Sequence, residues 1–385
     1  MTAPAVQHPG ELRWETRLLV IMTITMTVFG VASMYSASSL QDGGFDFAMN
    51  QLTGALAGFL VLMVVSRFDY VRWRPLAWLI LGVTLVLLLV TLLPFTLSIS
   101  PVINGARRWV ELGPVRFQPS ELARFTIVLW AAALAAKKGA QVREFKKGVL
   151  PFLLVFGLVS LMILRQPSLS MATLVALLGV VVLFAAGAKA GQFVLMMLAL
   201  ILIVISKVLG TGFRHERWLA FLDPVGSAQG AGLQVEQSLV GLGAGGLFGV
   251  GFGEGQQKLN YLPYAYSDFL FSAIGEEWGF LGSLVVILLY ATFCWVGFRI
   301  ARTARDPFGQ FLAAGLTAGI GLTAFLHIAV TLGLMPTTGL PLPFMSFGRS
   351  NLMINLLSVG VIVSVGRMRG RGPARSGKPE VARSR

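Results

Sequence analysis

The sequence predicts an all-α polytopic membrane protein that crosses the membrane ten times. Hydrophobic residues make up 55% of its 385 positions and charged residues only 12%, and the mean hydropathy is +0.76; soluble domains carry about 25% charged residues. Apolar runs of about 20 residues recur along the chain, and this length crosses a hydrocarbon core of roughly 30 Å as a helix. A membrane β-barrel is disfavoured because its strands alternate apolar and polar residues.

Ten predicted spans divide the chain into one membrane domain, residues 17–366, and two flanking tails. Residues 1–16 are polar and are predicted to be a disordered N-terminus, and the basic segment 367–385 a disordered C-terminal tail. The largest loop, residues 210–266, lies between the seventh and eighth helices. The spans cover about residues 17–37, 49–66, 76–93, 119–136, 148–164, 170–187, 192–209, 267–298, 310–333 and 350–366.

The distribution of basic residues predicts the orientation. With both termini in the cytoplasm, the inner segments and the C-terminal tail hold 21 of the 31 Lys and Arg residues, in agreement with the positive-inside rule. The net charge of +14 is therefore mainly a topology signal rather than an indication of nucleic-acid binding. The remaining basic residues lie on the outer side or within the spans, where they could meet an anion: Arg107, Arg108, Arg116, Arg124, Arg165, Lys207, Arg214, Arg217, Lys258 and Arg349.

Several classes of site are excluded by composition and motif. The single cysteine, Cys294, excludes an internal disulfide framework and a cysteine-based metal cluster. The glycines at 251, 253 and 255 follow no predicted strand, so a dinucleotide-binding loop is excluded as well. His327 lies in an apolar span and is predicted to be a satisfied core histidine, and no Ser/His/Asp set is visible.

The stretch from Gly245 to Gly282 concentrates ionisable groups in an apolar chain. Asp268 is predicted at the start of the eighth helix behind Ser267 as its N-cap. It is either an acid stabilised by the helix N-terminus or a functional base, because an acid at the mouth of a membrane helix is costly. Glu276 is predicted about 12 Å deeper than Asp268, so Glu276 and Glu277 are expected to be buried, paired groups.

Residues 104–124 contain two further charged motifs. Arg107, Arg108 and Trp109 suit bidentate phosphate contact, or alternatively an interfacial anchor. Glu121 and Arg124 are spaced i, i+3 in the helix that starts at Pro119, so they are expected to pair.

Two proline-containing segments lie between predicted spans on the outer side. Arg165 and Gln166 precede Pro167 in a short link; they either face a cavity or, in the case of Arg165, reach towards the interface. Residues 334–352 contain prolines and glycines that break a helix, and such backbone is tolerated where it lines a cavity. Arg349 is predicted where this segment becomes helical again.

Together these motifs resemble the SEDS family (shape, elongation, division, sporulation) of polytopic peptidoglycan polymerases. The matching stretches are NGARRW with FQPSELA, residues 234–253 followed by SDFLF-x-x-IGEE, and GLMPTTGLPLPFMSFG. The resemblance covers nearly the whole chain and implies ten transmembrane helices in the bacterial cytoplasmic membrane. The implied activity is glycosyl transfer with lipid II, an undecaprenyl-diphosphate-linked disaccharide-pentapeptide. The implied partners are a class B penicillin-binding protein, which crosslinks the product, and other divisome membrane proteins.

The family motifs assign the site residue by residue. The essential aspartate corresponds to Asp268, and the family's basic and acidic cavity residues fall on Arg108, Glu121, Arg124, Lys258, Glu276 and Glu277. The chain departs from the usual family residue at Arg124, Ser168, Tyr264 and Arg349. The residues that we predict to contact substrate, from the motifs and the resemblance together, are Arg107, Arg108, Trp109, Gln118, Ser120, Glu121, Arg124, Gln166, Lys258, Ser346 and Arg349.

The sequence-based hypothesis is inverting glycosyl transfer with Asp268 as general base. Arginines or a divalent cation, Mg²⁺ or Mn²⁺, stabilise the leaving diphosphate; no nucleotide or organic cofactor is expected. Residues 34–38 are more similar to the division branch of the family, which implies a septal location, than to the elongation branch. The alternatives to a polymerase are a lipid II transporter and a scaffold that has lost its activity. Residues 245–255 are expected to form a mobile wall of the substrate cleft.

Overall fold

Apolar helices dominate the architecture. The computed structural model describes residues 14–39, 44–93, 96, 99–103, 105–113, 115–210, 212–223, 230–259 and 261–368. Within these residues the helices are α1 (Trp14–Ser38), α2 (Gly44–Arg67), α3 (Trp73–Leu92), α4 (Pro119–Lys138), α5 (Leu150–Arg165), α6 (Leu169–Ala185), α7 (Ala190–Leu209), α8 (Gly212–Leu222), α9 (Ala231–Ala244), α10 (Leu270–Arg302), α11 (Pro307–Thr331) and α12 (Arg349–Arg367). Short non-α turns of helix occupy Tyr70–Arg72, Gly139–Arg143 and Phe145–Val149.

Each of the ten predicted spans corresponds to one of these helices. Nine helices of the described chain, counting their short adjoining turns, are long and apolar enough to cross a membrane. The remaining one, α6, is equally apolar but has 17 residues. The prediction of a polytopic, mainly helical membrane protein is therefore confirmed.

Two helices form the centre of the bundle and one lies at its edge. In the apolar 18-residue stretch of α4 and in that of α12, 83% of the residues are buried. In the corresponding stretch of α7 only 6% are buried. Helix α12 packs along α2, α11 packs along α10, and α4 contacts α3, α6 and α11. Small residues allow the close approaches, since a Cβ added at Gly315 of α11 would be 2.5 Å from the Val128 side chain of α4.

Three element boundaries differ from the prediction. Helix α1 begins at Trp14, so residues 14–16 are helical rather than part of a disordered tail; Glu15 is buried there in an ion pair with Arg299 at 2.5 Å. The predicted loop 210–266 contains α8 and α9. Val110–Leu112 and Val115–Phe117 form an antiparallel pair of strands in which Val110 pairs with Phe117, so a small sheet interrupts the predicted all-α chain. Arg367, the first residue of the predicted C-terminal tail, is likewise helical, since it ends α12. Residues 1–13 and 369–385 lie outside the described residues.

The start of α10 also corrects the prediction. The helix begins at Leu270 instead of residue 267, and Ser267 is not its N-cap. The backbone N–H groups of Ser267 and Asp268 both donate to the carbonyl of Tyr264 at 3.0 Å, so a turn already satisfies them before the helix starts. Helix α10 is then kinked at Gly279, whose φ is 67°.

Candidate functional site

Asp268 lies in the turn that precedes α10. Its residue is half-buried, whereas Phe269 and Leu270 immediately after it are fully buried in the bundle. The carboxylate therefore sits at the mouth of a helix, outside the membrane-spanning segment itself. The sequence predicts Asp268 in the first turn of this helix, whereas the structure places it just before α10. Asp268 and Glu276 therefore do not lie on one continuous helix.

The segment between α11 and α12 closes over this turn. His327 of α11 contacts the carbonyl of Leu340 through Nδ1 at 2.8 Å, and its Nε2 accepts from the N–H of Phe271 at 3.4 Å. His327 is thus a satisfied core histidine, as predicted, and it joins residues 334–348 to the start of α10. Gly339 lies against Asp268, since a Cβ added there would be 3.5 Å from Asp268 Oδ2.

Two arginines from segments far apart in the chain flank Asp268. Arg108 donates to the carbonyls of Gln166 and Pro167 at 2.9 and 2.8 Å, and Arg217 of α8 donates to the carbonyl of Thr337 at 3.3 Å. Burial raises the pKa of Asp268, while Ser267, Arg217 and Arg108 oppose that rise. The site therefore combines a partly desolvated carboxyl group with two cations able to stabilise its charged form.

The other residues of the 104–118 motif have separate roles. Arg107 is turned into its own loop, where it donates to the Ser100 carbonyl at 3.1 Å and to Thr96 Oγ1 at 2.8 Å. Gln166 is buried and donates to Thr91 Oγ1 at 2.6 Å. Trp109 is half-buried beside Arg108 in the chain. Arg108 is therefore the member of the predicted pair that the structure brings to Asp268.

Glu121 and Arg124 form a buried polar network between α4, α11 and α12. Their N–O distance is 3.1 Å, and Arg124 also donates to Thr323 Oγ1 and Asn355 Oδ1 at 3.1 and 2.9 Å. Asn351 donates to Glu121 Oε1 at 3.1 Å. The predicted i, i+3 pairing is confirmed. These two side chains contact the neighbouring helices instead of Asp268.

Gln118 and Ser120, two predicted site residues that precede this pair in the chain, form hydrogen bonds at the start of α4. The Gln118 side chain donates to Ser120 Oγ at 3.0 Å, and the Gln118 backbone N–H donates to Ser350 Oγ at 3.2 Å. Ser120 is fully buried. Gln118 therefore connects the N-terminus of α4 to α12, and Ser120 holds the Gln118 side chain.

Glu276 and Glu277 fix the glycine-rich segment that follows α9. Glu276 Oε1 accepts from the backbone N–H groups of Gln256 and Gln257 at 2.7 and 3.3 Å. Glu277 accepts from Ser36 of α1, and Lys258 is near enough to stabilise its negative charge. Lys258 also donates to the carbonyl of Gly253. The structure thus gives both glutamates the buried, paired role that the sequence predicted.

Backbone hydrogen bonds connect the glycine-rich segment to α10. The N–H groups of Val250 and Gly251 donate to the carbonyls of Glu276 and Glu277 at 3.0 and 3.2 Å, and Phe280 N–H donates to the Gly246 carbonyl at 2.9 Å. These bonds use the backbone groups that the kink in α10 exposes. They favour a fixed segment over a mobile wall, and the mobility stays a prediction.

Ser346 and Arg349 hold the last loop against α2. Ser346 Oγ accepts from the N–H of Leu342 at 3.0 Å, and its carbonyl accepts from Gln51 at 3.0 Å. Arg349 donates to Asn50 Oδ1 at 2.8 Å and to Thr53 Oγ1 at 3.4 Å. Both residues therefore contact α2, and the structure does not bring Arg349 to Asp268.

Sequence patterns do not single out Arg217 or Thr337. Arg217 is one of the ten basic residues that the predicted orientation does not explain, and Thr337 is one residue of a proline-containing segment. The only sequence signal for Arg217 is its membership of that group of ten, and the fold is needed to assign it to Asp268.

The described residues contain no cluster suited to a metal ion: no group of three or more His, Cys, Asp and Glu side chains among them could hold one. Arginines rather than further carboxylates flank Asp268. These residues do not fit a divalent cation held by the protein itself.

Comparisons with known proteins agree on one family. A family model described as "Cell cycle protein" matches residues 14–370. The chain is 39% identical over 360 residues to a protein of Geobacter sp. (strain M18) named "Probable peptidoglycan glycosyltransferase FtsW", covering 92% of this chain and 97% of that one. It is 35% identical over 355 residues to "Stage V sporulation protein E" of Bacillus subtilis (strain 168), covering 91% and 96%.

Solved structures show the same architecture. A chain in a structure described as "Structural coordination of polymerization and crosslinking by a peptidoglycan synthase complex" matches with a TM-score of 0.77 and 28% identity, covering 92% of this chain and 98% of that one. The rod shape determining protein RodA of Thermus thermophilus matches with a TM-score of 0.68 and 26% identity, covering 92% and 97%.

Proposed function

The chain belongs to the FtsW/RodA/SpoVE family of cell cycle proteins, and from this premise we propose that it is a peptidoglycan glycosyltransferase with Asp268 as its general base. The activity follows from its relatives, since those named FtsW are described as peptidoglycan glycosyltransferases and align with more than 90% of the chain. The position of Asp268 is the observation that carries the catalytic assignment: a half-buried carboxylate at a helix mouth, flanked by two arginines.

The proposed reaction extends a glycan strand with lipid II. Asp268 accepts the proton of an acceptor sugar hydroxyl as the hydroxyl oxygen attacks the anomeric carbon of the growing chain. The bond from that carbon to the lipid diphosphate breaks, and the diphosphate leaves with its electron pair. A single carboxylate suffices because diphosphate needs no protonation to leave. Glycoside hydrolysis differs, since two carboxylates flank the bond that breaks.

Two arginines supply the positive charge in this proposal. Arg108 is held by two backbone carbonyls and Arg217 by one, so both guanidinium groups are positioned before substrate arrives. Preorganised cations stabilise charge that develops in the transition state, and they need little reorganisation to do so. The lipid II polymerisation assay, run with and without Mg²⁺ or Mn²⁺, tests whether a divalent cation is also required.

The proposed topology places this chemistry on the outer face of the cytoplasmic membrane. It takes α6 as a tenth crossing, gives both termini to the cytoplasm and makes residues 210–266 the main extracytoplasmic segment. The positive-inside distribution of Lys and Arg supports it. The similarity to FtsW supports a division-type role at the septum over an elongation-type role. The synthase-complex relative supports a class B penicillin-binding protein as partner, alongside other divisome membrane proteins.

Polymerisation of labelled lipid II by the purified protein, with and without the partner transpeptidase, tests this function. Asp268→Asn is expected to lose activity by about 10²–10⁴-fold, the usual contribution of a general base. Asp46→Asn provides the matched control, because Asp46 is exposed at the start of α2. Full polymerisation by Asp268→Asn would remove Asp268 from the mechanism. Lipid II transport across vesicles without polymer formation would favour the transporter.

A further inference from the structure

We propose that Arg217 is a positioning residue for the candidate base: brought to the site by α8, its guanidinium keeps the Asp268 carboxylate charged and oriented for proton transfer. The inference rests on the proposed function, because it concerns the same base. It adds a residue that neither the motifs nor the comparisons assign, and it gives α8 a specific part in the chemistry.

One short segment of chain, residues 337–339, lies between Arg217 and Asp268. Arg217 Nη1 donates to the carbonyl of Thr337 at 3.3 Å. Two residues further along, a Cβ on Gly339 would be 3.5 Å from Asp268 Oδ2. Residues 337–339 therefore contact the arginine at one end and the aspartate at the other. A larger residue at 339 would occupy the space beside the carboxylate.

The segment that carries this connection is anchored independently of α8. His327 contacts the carbonyl of Leu340 at 2.8 Å, directly after Gly339. Thr337 is itself buried, and its hydroxyl has no hydrogen-bond partner among the described residues. Arg217 thus donates to a backbone carbonyl that the fold holds in place, and this bond helps to set the direction of its guanidinium.

Arg217 is a better candidate than Arg108 for this role. Arg108 commits Nε and Nη2 to the carbonyls of Gln166 and Pro167. Both arginines oppose the rise in the pKa of Asp268 that burial causes, and Arg217 has the larger effect of the two. Burial in turn lowers the pKa of Arg217, while Asp268 raises it, so the two charges stabilise each other.

Other titratable groups near Asp268 do not replace this cation. Tyr266 interacts electrostatically with both Asp268 and Tyr264, and a phenol supplies no positive charge to this turn. His327, on α11, already uses both ring nitrogens in contacts with Leu340 and Phe271. Among the residues that the structure describes, removing Arg217 leaves Arg108 as the cation beside the carboxylate.

The experiment is the pH dependence of lipid II polymerisation by Arg217→Gln. Loss of the cation is expected to move the acid limb of kcat to higher pH by about one unit, since a nearby opposite charge typically lowers a carboxyl pKa by about 1–3 units. Arg217→Lys keeps the charge and is expected to restore the limb at least in part. Arg116→Gln is the matched control: Arg116 is exposed and pairs with Glu111 on the outer hairpin.

The outcomes separate this inference from the proposed function. A raised KM with an unmoved acid limb would make Arg217 a substrate-binding residue and overturn the positioning role. An active Asp268→Asn would instead overturn the base, whatever Arg217 does. If Arg217→Gln does not purify in folded form, Arg217→Met keeps most of the side-chain volume without the charge and carries the same test. Thermal unfolding of each variant confirms that the compared proteins are folded.

Discussion

Glu121 and Arg124 form a buried ion pair one turn into α4, with an N–O distance of 3.1 Å and side chains only 2% and 5% exposed. The pair is closed by Asn351, Asn355 and Thr323 from two other helices. Breaking a buried pair by removing one partner leaves the other charge buried without compensation. This network therefore stabilises the centre of the bundle, where α4 meets α11 and α12.

Arg124→Ala is expected to destabilise the protein by about 3–5 kcal/mol, as is typical for the loss of one partner of a buried pair. Arg116→Ala is the matched control, since its pair with Glu111 is solvent-exposed and such pairs contribute about 0–1 kcal/mol. The free energy of unfolding in mixed detergent micelles measures both changes. Equal losses for the two variants would contradict the structural importance of the buried network.

Local sequence patterns were sufficient to predict much of this architecture. The helices were predictable because the length of each apolar run matches the thickness of the bilayer. The Glu121–Arg124 pair was predictable because residues at i and i+3 are neighbours on any helix. The link between Arg217 and Thr337 was not predictable, because 120 residues separate them and only the packing of α8 brings them together. The start of α10 was misplaced because the turn at Tyr264 satisfies two backbone donors that a helix would otherwise include.

The wild-type enzyme is expected to lose activity as the pH falls through a pKa above the ordinary aspartate range of about 4. Burial is the main cause, since it disfavours the charged form of Asp268 and raises its pKa. The base must be ionised to accept a proton, so activity increases with pH through this value. The pH–rate profile of lipid II polymerisation measures it.

Recovery of full activity on return to neutral pH provides the control for acid denaturation in that profile. Asp268→Glu is a second comparison, because it keeps a carboxyl group but moves it by one methylene. It is expected to retain an acid limb with a lower maximal rate. An acid limb that persists unchanged in the residual activity of Asp268→Asn would assign the titration to another group.

Glu276→Ala is expected to loosen the segment that follows the glycine-rich turn. The carboxylate accepts the backbone N–H groups of Gln256 and Gln257, and these donors lose their partner in the alanine variant. Hydrogen exchange of residues 253–259 should become faster, while the exchange of α4 should not change. Glu276→Gln retains one acceptor oxygen and should show a smaller effect. Unchanged exchange in both variants would remove the anchoring role.

The close contact between Gly249 and Glu277 provides a test of the fixed glycine-rich segment. A Cβ at Gly249 would lie 2.1 Å from the carbonyl oxygen of Glu277, so alanine cannot be accommodated without moving the backbone. The movement would break the bonds from Val250 and Gly251 to α10. Gly249→Ala should therefore reduce the thermal stability of the protein and also its polymerisation activity.

Gly253→Ala isolates the steric part of that effect. Gly253 has a φ of 83°, nearly the same as the 84° of Gly249, but a Cβ there would meet nothing within 4 Å. Both variants share the conformational cost of placing alanine at positive φ, about 1–2 kcal/mol. Only Gly249→Ala also loses two backbone hydrogen bonds, which contribute about 1 kcal/mol each. Its unfolding free energy should therefore fall by about 2 kcal/mol more, and equal losses would show that the segment does not depend on close packing against α10.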